Sequence, residues 1–196
     1  QALRTPQFYQ LWIALCLNVT AGIGVLRVAR TMITEIFGTT LPQTVDTAFA
    51  ATYVVMISAF NMVGRFIWAS ASDYLGRRNT YWIFFLLGIA LYLSIPFTAQ
   101  QVNASPSIIW LVYFYAATMI IFTMYGGGFA TIPAYLADIF GTRYVGGIHG
   151  RLLTAWSTAG LLGPLAITSL RQNSVTIARL MEIAPPGISD PTSGLY

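Results

Sequence analysis

The chain has 196 residues, of which 56% are hydrophobic and 8% are charged, and its mean hydropathy is +0.67. This composition is too apolar for a soluble domain of that length and indicates an integral membrane protein. The ten basic residues are all arginine and are scattered along the chain, so the net charge of +4 forms no basic stripe, and we expect no nucleic-acid partner.

Five intervals of the sequence are long and apolar enough to cross a membrane, which takes roughly 20 residues per helix. Charged residues and polar turns separate these predicted spans, which are residues 8–26, 47–71, 80–98, 107–132 and 152–170. The chain is therefore predicted to be an all-α, polytopic membrane helix bundle. The segment after the last span, residues 171–196, is polar and rich in proline and is expected to be a disordered tail.

The first span has a polar and flexible middle, from Asn18 through Gly22 to Gly24. Such a segment either bends the helix or packs closely against a neighbour. Asn18 could hydrogen-bond a substrate or bridge two helices, and bridging is the preferred interpretation.

The second span contains Arg65, eight residues before Asp73. A positive charge inside a membrane helix costs about 2.5–3.5 kcal/mol on insertion scales, so it needs a reason. One interpretation is snorkelling, because the loop that follows is only about 10 Å of helix away. The other is a binding site for an anion, since a guanidinium donates two parallel hydrogen bonds to a carboxylate. The residues alone leave both interpretations open.

The loop after this span reads Asp73-Tyr74-Leu75-Gly76-Arg77-Arg78. Gly76 can take the positive φ that ends a helix, and paired arginines are typical of the cytoplasmic side. The arrangement resembles the loop signature of the major facilitator superfamily, although Ala69 and Tyr74 stand where glycine and arginine are common. The chain is then predicted to start inside, with the second loop, residues 138–151, on the same side as the first.

The fourth and fifth spans supply aromatic residues and close-packing signals. Tyr125 and Phe129 flank a run of three glycines in the fourth span, and Pro133 follows, so the end of this span is expected to be bent or broken. In the fifth span Ala155, Ala159 and Gly163 recur every fourth residue, a stripe that lets helices approach closely. The aromatic residues could wall a cavity or simply pack. His149, the only histidine, is interpreted as structural.

Several stretches together resemble the oxalate/formate antiporter family of major facilitator transporters. They are residues 3–8, 18–22, 126–135, 138–142 and 149–157. The resemblance implies the C-terminal half of a major facilitator fold, with residues 1–170 as helices seven to eleven of twelve. It also implies that the N-terminal half and the last helix are absent, so the chain is interpreted as a fragment.

The resemblance further implies a substrate site. An arginine in the eighth helix of that family is associated with the substrate carboxylate, and Arg65 matches it. A lysine in the eleventh helix of the oxalate transporter supplies a second charge, and Trp156 stands in its place. The expected substrate is therefore a small organic anion, either a monocarboxylate or an oxalate/formate-like carboxylate. The expected binding residues are Arg65, Tyr125, Phe129, Trp156 and Asn18.

The predicted function is secondary active transport by alternating access, in a multi-pass protein of the cell membrane. No cofactor or metal is expected, and the expected partners are the substrate anion, membrane lipid and the missing half of the carrier. An enzyme is not expected, because one histidine and one cysteine in different segments offer neither a nucleophile with a base nor a metal-binding cluster. A channel or a non-transporting helix-bundle subunit remains the alternative.

Overall fold

The computed structural model describes residues 2–180, and residues 174–180 by their backbone alone. Its α-helices are α1 Pro6–Phe37, α2 Thr47–Leu75, α3 Arg77–Ala104, α4 Ile108–Phe140, α5 Val145–Leu152 and α6 Thr154–Leu180. No strand occurs in this part of the chain. The four helices α1 to α4 are long and apolar enough to span a membrane, and so is the segment Thr142–Asn173 that includes α5. The prediction of an all-α bundle with five spans is confirmed.

Local sequence explains where the helices begin. Pro6 occupies the first turn of α1, where its missing N–H is no loss. The carboxylate of Asp46 caps α2 by accepting the Phe49 amide N–H at 2.7 Å. The hydroxyl of Ser107 caps α4 in the same way through the amide of Ile109. These caps satisfy backbone donors that the helices themselves leave free.

Helix α4 lies at the centre of the bundle and packs most extensively against α2, and also against α1, α3 and α5. Glycines allow the contact with α2 to be made backbone to backbone. A Cβ built on Gly64 would overlap the backbone of Thr123, and one built on Gly126 would overlap the carbonyl oxygen of Asn61. The glycines therefore set how closely α2 approaches α4.

The second close pair is α1 with α6. Ala155 and Ala159 of α6 are fully buried. Gly163 lies so close to α1 that a Cβ built on it would be 2.8 Å from the Thr20 carbonyl oxygen and 3.1 Å from the Gly24 nitrogen. The predicted small-residue stripe is thus confirmed as a helix contact. The flexible middle of α1 packs closely, as one of its two interpretations required.

Both loops that carry arginine lie at the same end of the bundle. Gly76 and Gly141 end α2 and α4 with φ values of 83° and 77°, in the region that favours glycine. Arg77 then pairs with Asp73 and, at 3.5 Å, with Asp138 at the end of α4. At the opposite end Arg171 of α6 pairs with Glu35 of α1 at 2.6 Å.

Helices α4 and α6 extend further than predicted. Helix α4 is not broken at its glycines or at Pro133 but continues to Phe140, so the expected break is wrong, whereas the alternative of a bend stays a prediction. Side chains bond to backbone oxygens in this segment. The Tyr81 hydroxyl donates to the carbonyl oxygen of Gly128 at 2.7 Å, and the Thr131 hydroxyl donates to the carbonyl oxygen of Gly127 at 3.0 Å. Helix α6 continues past residue 170 to Leu180, so residues 171–180 are helical. The remainder of the predicted tail, residues 181–196, lies outside the described residues.

Candidate functional site

Arg65 projects from α2 toward an aromatic residue of α4. Its guanidinium carbon lies 5.9 Å from the centroid of the Phe129 ring, within the range of a cation–π contact, and the side chain is exposed. The ion pairs of residues 2–173 are those of Arg77 and Arg171. Within this part of the chain, the positive charge of Arg65 therefore has no carboxylate partner.

The aromatic residues beside Arg65 form one cluster. Phe129 and Trp156 meet edge to face with ring centroids 5.2 Å apart, so α4 and α6 join here. The Tyr125 side chain interacts with Trp156, and its hydroxyl is close enough to Arg65 for an electrostatic interaction. Tyr125 is buried, Phe129 is half-buried and Trp156 is 46% exposed. Four of the five predicted site residues thus lie together on a face that opens to the surface.

Small neighbouring residues hold this cluster in place. Gly22 of α1 lies against Tyr125, and a Cβ there would overlap the ring. Ala155 is fully buried beside Trp156. Gly64, next to Arg65, keeps α2 against α4. The close helix contacts described above therefore also fix where these side chains point.

Asn18 does not join the cluster. Its Oδ1 atom is buried between α1 and α4, 3.0 Å from the place that a Cβ on Gly128 would occupy, and it has no hydrogen-bond partner. The preferred interpretation, a hydrogen bond that bridges two helices through this oxygen, is not seen in the described residues. Asn18 as a substrate contact stays a prediction.

One polar residue was missed from the sequence. Asn61 lies on α2 one turn before Arg65, and its buried Oδ1 also has no hydrogen-bond partner among the described residues. The signal was present, because an amide in an apolar span is costly unless it is partnered. His149 lies apart from the cluster, on α5, half-buried and with its Nδ1 atom unpartnered.

The Arg65 side chain gives this cluster donors whose hydrogen bonds an anion could accept. A guanidinium offers five N–H donors in a planar fork, and the Phe129 ring flanks it on one side. No three side chains among His, Cys, Asp and Glu come together in the described part of the chain, so that part holds no cluster for a metal ion. The cluster contains no nucleophile paired with a base.

The chain is similar to an oxalate:formate antiporter from Oxalobacter formigenes. The two are 32% identical over 164 residues, which cover 83% of this chain and 35% of that protein. The chain therefore spans about a third of the length of the curated relative that it matches. No family profile matches the chain, and no solved structure matches it. The similarity to this antiporter and the five apolar segments of the chain itself together identify the chain as an integral, multi-pass membrane protein.

Proposed function

We propose that this chain, which is similar to an oxalate:formate antiporter, forms part of a secondary active carrier of the major facilitator type for a small organic anion. The observation that carries the proposal is Arg65, an arginine in a membrane helix with an aromatic cluster on one side and no carboxylate partner among the described residues. The similarity to an antiporter also favours a carrier over an enzyme.

The charge of Arg65 explains why an anion is the expected substrate. A cation that lacks a counter-ion inside a membrane protein is costly, and such residues mark ion or substrate pathways. A carboxylate can supply the missing charge and accept two parallel hydrogen bonds from the guanidinium. The substrate would then be the ion-pair partner that the described residues do not provide.

The composition of the cluster favours a monocarboxylate over a dianion. Arg65 is its one cation, and Tyr125, Phe129 and Trp156 around it carry no charge at neutral pH. A second carboxylate would therefore lie against aromatic rings without a counter-ion, at a cost of several kcal/mol. One carboxylate with a small apolar or hydroxylated remainder avoids that cost.

The proposed mechanism is alternating access. Carriers of this kind bind substrate between two bundles and rock one bundle against the other. The cluster opens to the surface at Arg65 and Trp156, so a second bundle could close it from that side. We infer that the N-terminal half of a complete carrier supplies this wall, and we expect the 196-residue chain alone not to transport.

The test is substrate exchange in proteoliposomes that contain the chain together with its N-terminal half. Wild type, Arg65→Lys and Arg65→Gln are compared at matched reconstitution, with formate, acetate, lactate and oxalate as substrates. Arg30→Gln is the control, because Arg30 is an exposed arginine outside the cluster. Lysine keeps the charge but loses the bidentate fork, so it should weaken binding in part. Glutamine leaves the carboxylate unpaired and should cost about 2–5 kcal/mol, or roughly 30-fold to several thousand-fold in affinity.

Four results would contradict the proposal. Unchanged affinity in Arg65→Gln would remove Arg65 from the site. Full activity in Arg65→Lys, with Gln also tolerated, would identify a snorkelling arginine. A flux that neither saturates nor shows exchange of internal for external anion would favour the alternative of a channel, and no flux at all would favour a non-transporting subunit.

A further inference from the structure

A cavity of about 350 Å³ opens on the bundle between α1, α3 and α4. It lies at the end where both arginine-bearing loops are found, because it is bordered by the first turns of α1 and α3 and the last turns of α4. Its volume is at the lower end of the roughly 300–1,000 Å³ that is typical of small-molecule sites. The aromatic cluster around Arg65 contributes no residue to it.

The two neighbouring arginines at this end differ in their partners. Arg77 is largely buried, donates to the Ser72 hydroxyl, and pairs with Asp73 and Asp138. Arg78 is exposed and lines the cavity, and its side chain makes no ion pair or hydrogen bond within residues 2–173. The charge of Arg78 is therefore available to a ligand in the cavity, whereas the charge of Arg77 is not.

On α1 and α3 the lining changes from polar to apolar with distance from the end of the bundle, whereas α4 contributes the apolar Ile139 at that end. Gln7 and Arg78 occupy the first turns of α1 and α3, and Gln10 lies in the second turn of α1. Leu11 and Phe85 lie deeper along the same helices, and Trp82 lies between and is 55% exposed. Among the described residues, no acidic side chain lines the cavity. A ligand that fits this gradient has an anionic group at one end and a hydrocarbon chain at the other.

We propose that this cavity binds an anionic phospholipid. The phosphate accepts hydrogen bonds from Arg78 and from the carboxamides of Gln7 and Gln10. An acyl chain lies along Leu11 and Phe85, and the exposed Trp82 is placed at the level of the headgroups, where tryptophan is enriched in membrane proteins. Basic pockets between membrane helices on the cytoplasmic side are known to hold such headgroups. This inference does not depend on the proposed transport function.

The headgroup class follows from the described lining residues, none of which is acidic. A zwitterionic lipid presents an ammonium group that would find no carboxylate here, so only the phosphate of that lipid would be recognised. One arginine at an anionic surface gives a preference on the order of fivefold over a neutral lipid. Free phosphate would use the polar end of the cavity alone and leave its apolar walls in contact with other lipid.

Quenching of Trp82 fluorescence by brominated lipid tests this assignment on the intact chain in lipid nanodiscs. Brominated phosphatidylglycerol is compared with brominated phosphatidylcholine at equal mole fraction. The contribution of Trp82 is obtained as the difference between the wild type and Trp82→Phe. The expected result is about fivefold stronger association of phosphatidylglycerol. That preference should disappear in Arg78→Gln, persist in Arg78→Lys, and persist in Arg143→Gln, a control at the same end of the bundle.

Several outcomes would overturn the proposal. They are equal quenching by both lipids in the wild type, a preference that survives in Arg78→Gln, and a preference that inorganic phosphate at millimolar concentration abolishes. If neither lipid quenches the fluorescence of Trp82, the cavity is filled by protein instead of lipid, either by a second copy of the chain or by a further segment of polypeptide. If Arg78→Gln does not fold, the Lys variant still decides, because loss of the preference in a folded Arg78→Lys would contradict a charge-based site.

Discussion

Replacing Gly64 with alanine should push α2 away from α4. A Cβ at this position would meet three backbone atoms of Thr123, the furthest at 2.7 Å, whereas real Cβ atoms essentially never come within 3.0 Å of a neighbour. Backbone atoms cannot rotate aside as a side chain can. The helices themselves must therefore shift at the most extensive contact of the bundle.

The size of the effect follows from two opposing terms. Overpacking by one methyl group lowers the free energy of unfolding by about 1–3 kcal/mol. Replacing glycine by alanine inside a helix raises the free energy of unfolding by about 1 kcal/mol. Gly88 is the matched control, because it is buried in α3 but a Cβ there meets nothing within 4 Å. Gly88→Ala should therefore be neutral or up to about 1 kcal/mol more stable than the wild type. The difference between the two variants isolates the overpacking term of about 1–3 kcal/mol.

The measurement is the free energy of unfolding in mixed micelles, followed by helical circular dichroism as the fraction of denaturing detergent is raised. The two variants differ from the wild type by the same methyl group in the same kind of element, so effects of composition cancel. Gly64→Ala should unfold at a lower fraction of denaturing detergent than Gly88→Ala. Equal stability of the two variants would refute the backbone contact between α2 and α4.

Three further predictions concern the cluster, the ion pairs and the topology. In Gly22→Ala the new methyl group meets the ring of Tyr125, which can move aside. Carboxylate affinity, measured by exchange, should therefore fall, while stability should fall less than it does in a variant that clashes with backbone. Unchanged affinity would contradict this prediction. Arg77→Gln should lower the free energy of unfolding by about 0.2–1 kcal/mol, because both carboxylate partners of Arg77 are exposed. High salt should reduce this effect, and an effect that salt leaves unchanged would argue against an ion pair. Cysteines placed at Tyr74 and Tyr144 should react with an impermeant reagent from the same side of the membrane, and labelling from opposite sides would disprove the common location of the two loops.

The features that the sequence predicted correctly depend on local composition. A charge-free interval of sufficient length crosses a membrane because lipid cannot satisfy charged groups, so five spans could be counted directly. Gly76 could be identified as a helix end because few other residues adopt its φ of 83° easily. The stripe of Ala155, Ala159 and Gly163 predicted a close helix contact, since small side chains at that spacing share one helix face.

The predictions that failed depend on neighbours far away in the sequence. A break was expected at the glycines and Pro133, but α4 continues to Phe140, and within it the Gly128 carbonyl oxygen accepts a hydrogen bond from Tyr81 of α3. The polar composition after residue 170 suggested disorder, yet Arg171 pairs with Glu35 on α1 and α6 continues beyond it. No window of local sequence contains both members of either pair.

The sequence by itself determined that this protein is a membrane bundle with five spans, two loops with arginine on one side, and one isolated cation in its second span. Only the tertiary structure decided that α4 is central, that Phe129 faces Arg65 and packs against Trp156, and that Arg77 is paired while Arg78 is not. The physical reason is that lipid and protein interior are both apolar. Hydropathy therefore fixes how long a membrane helix is, but the rotation and crossing of the helices decide which of its faces meets a neighbour.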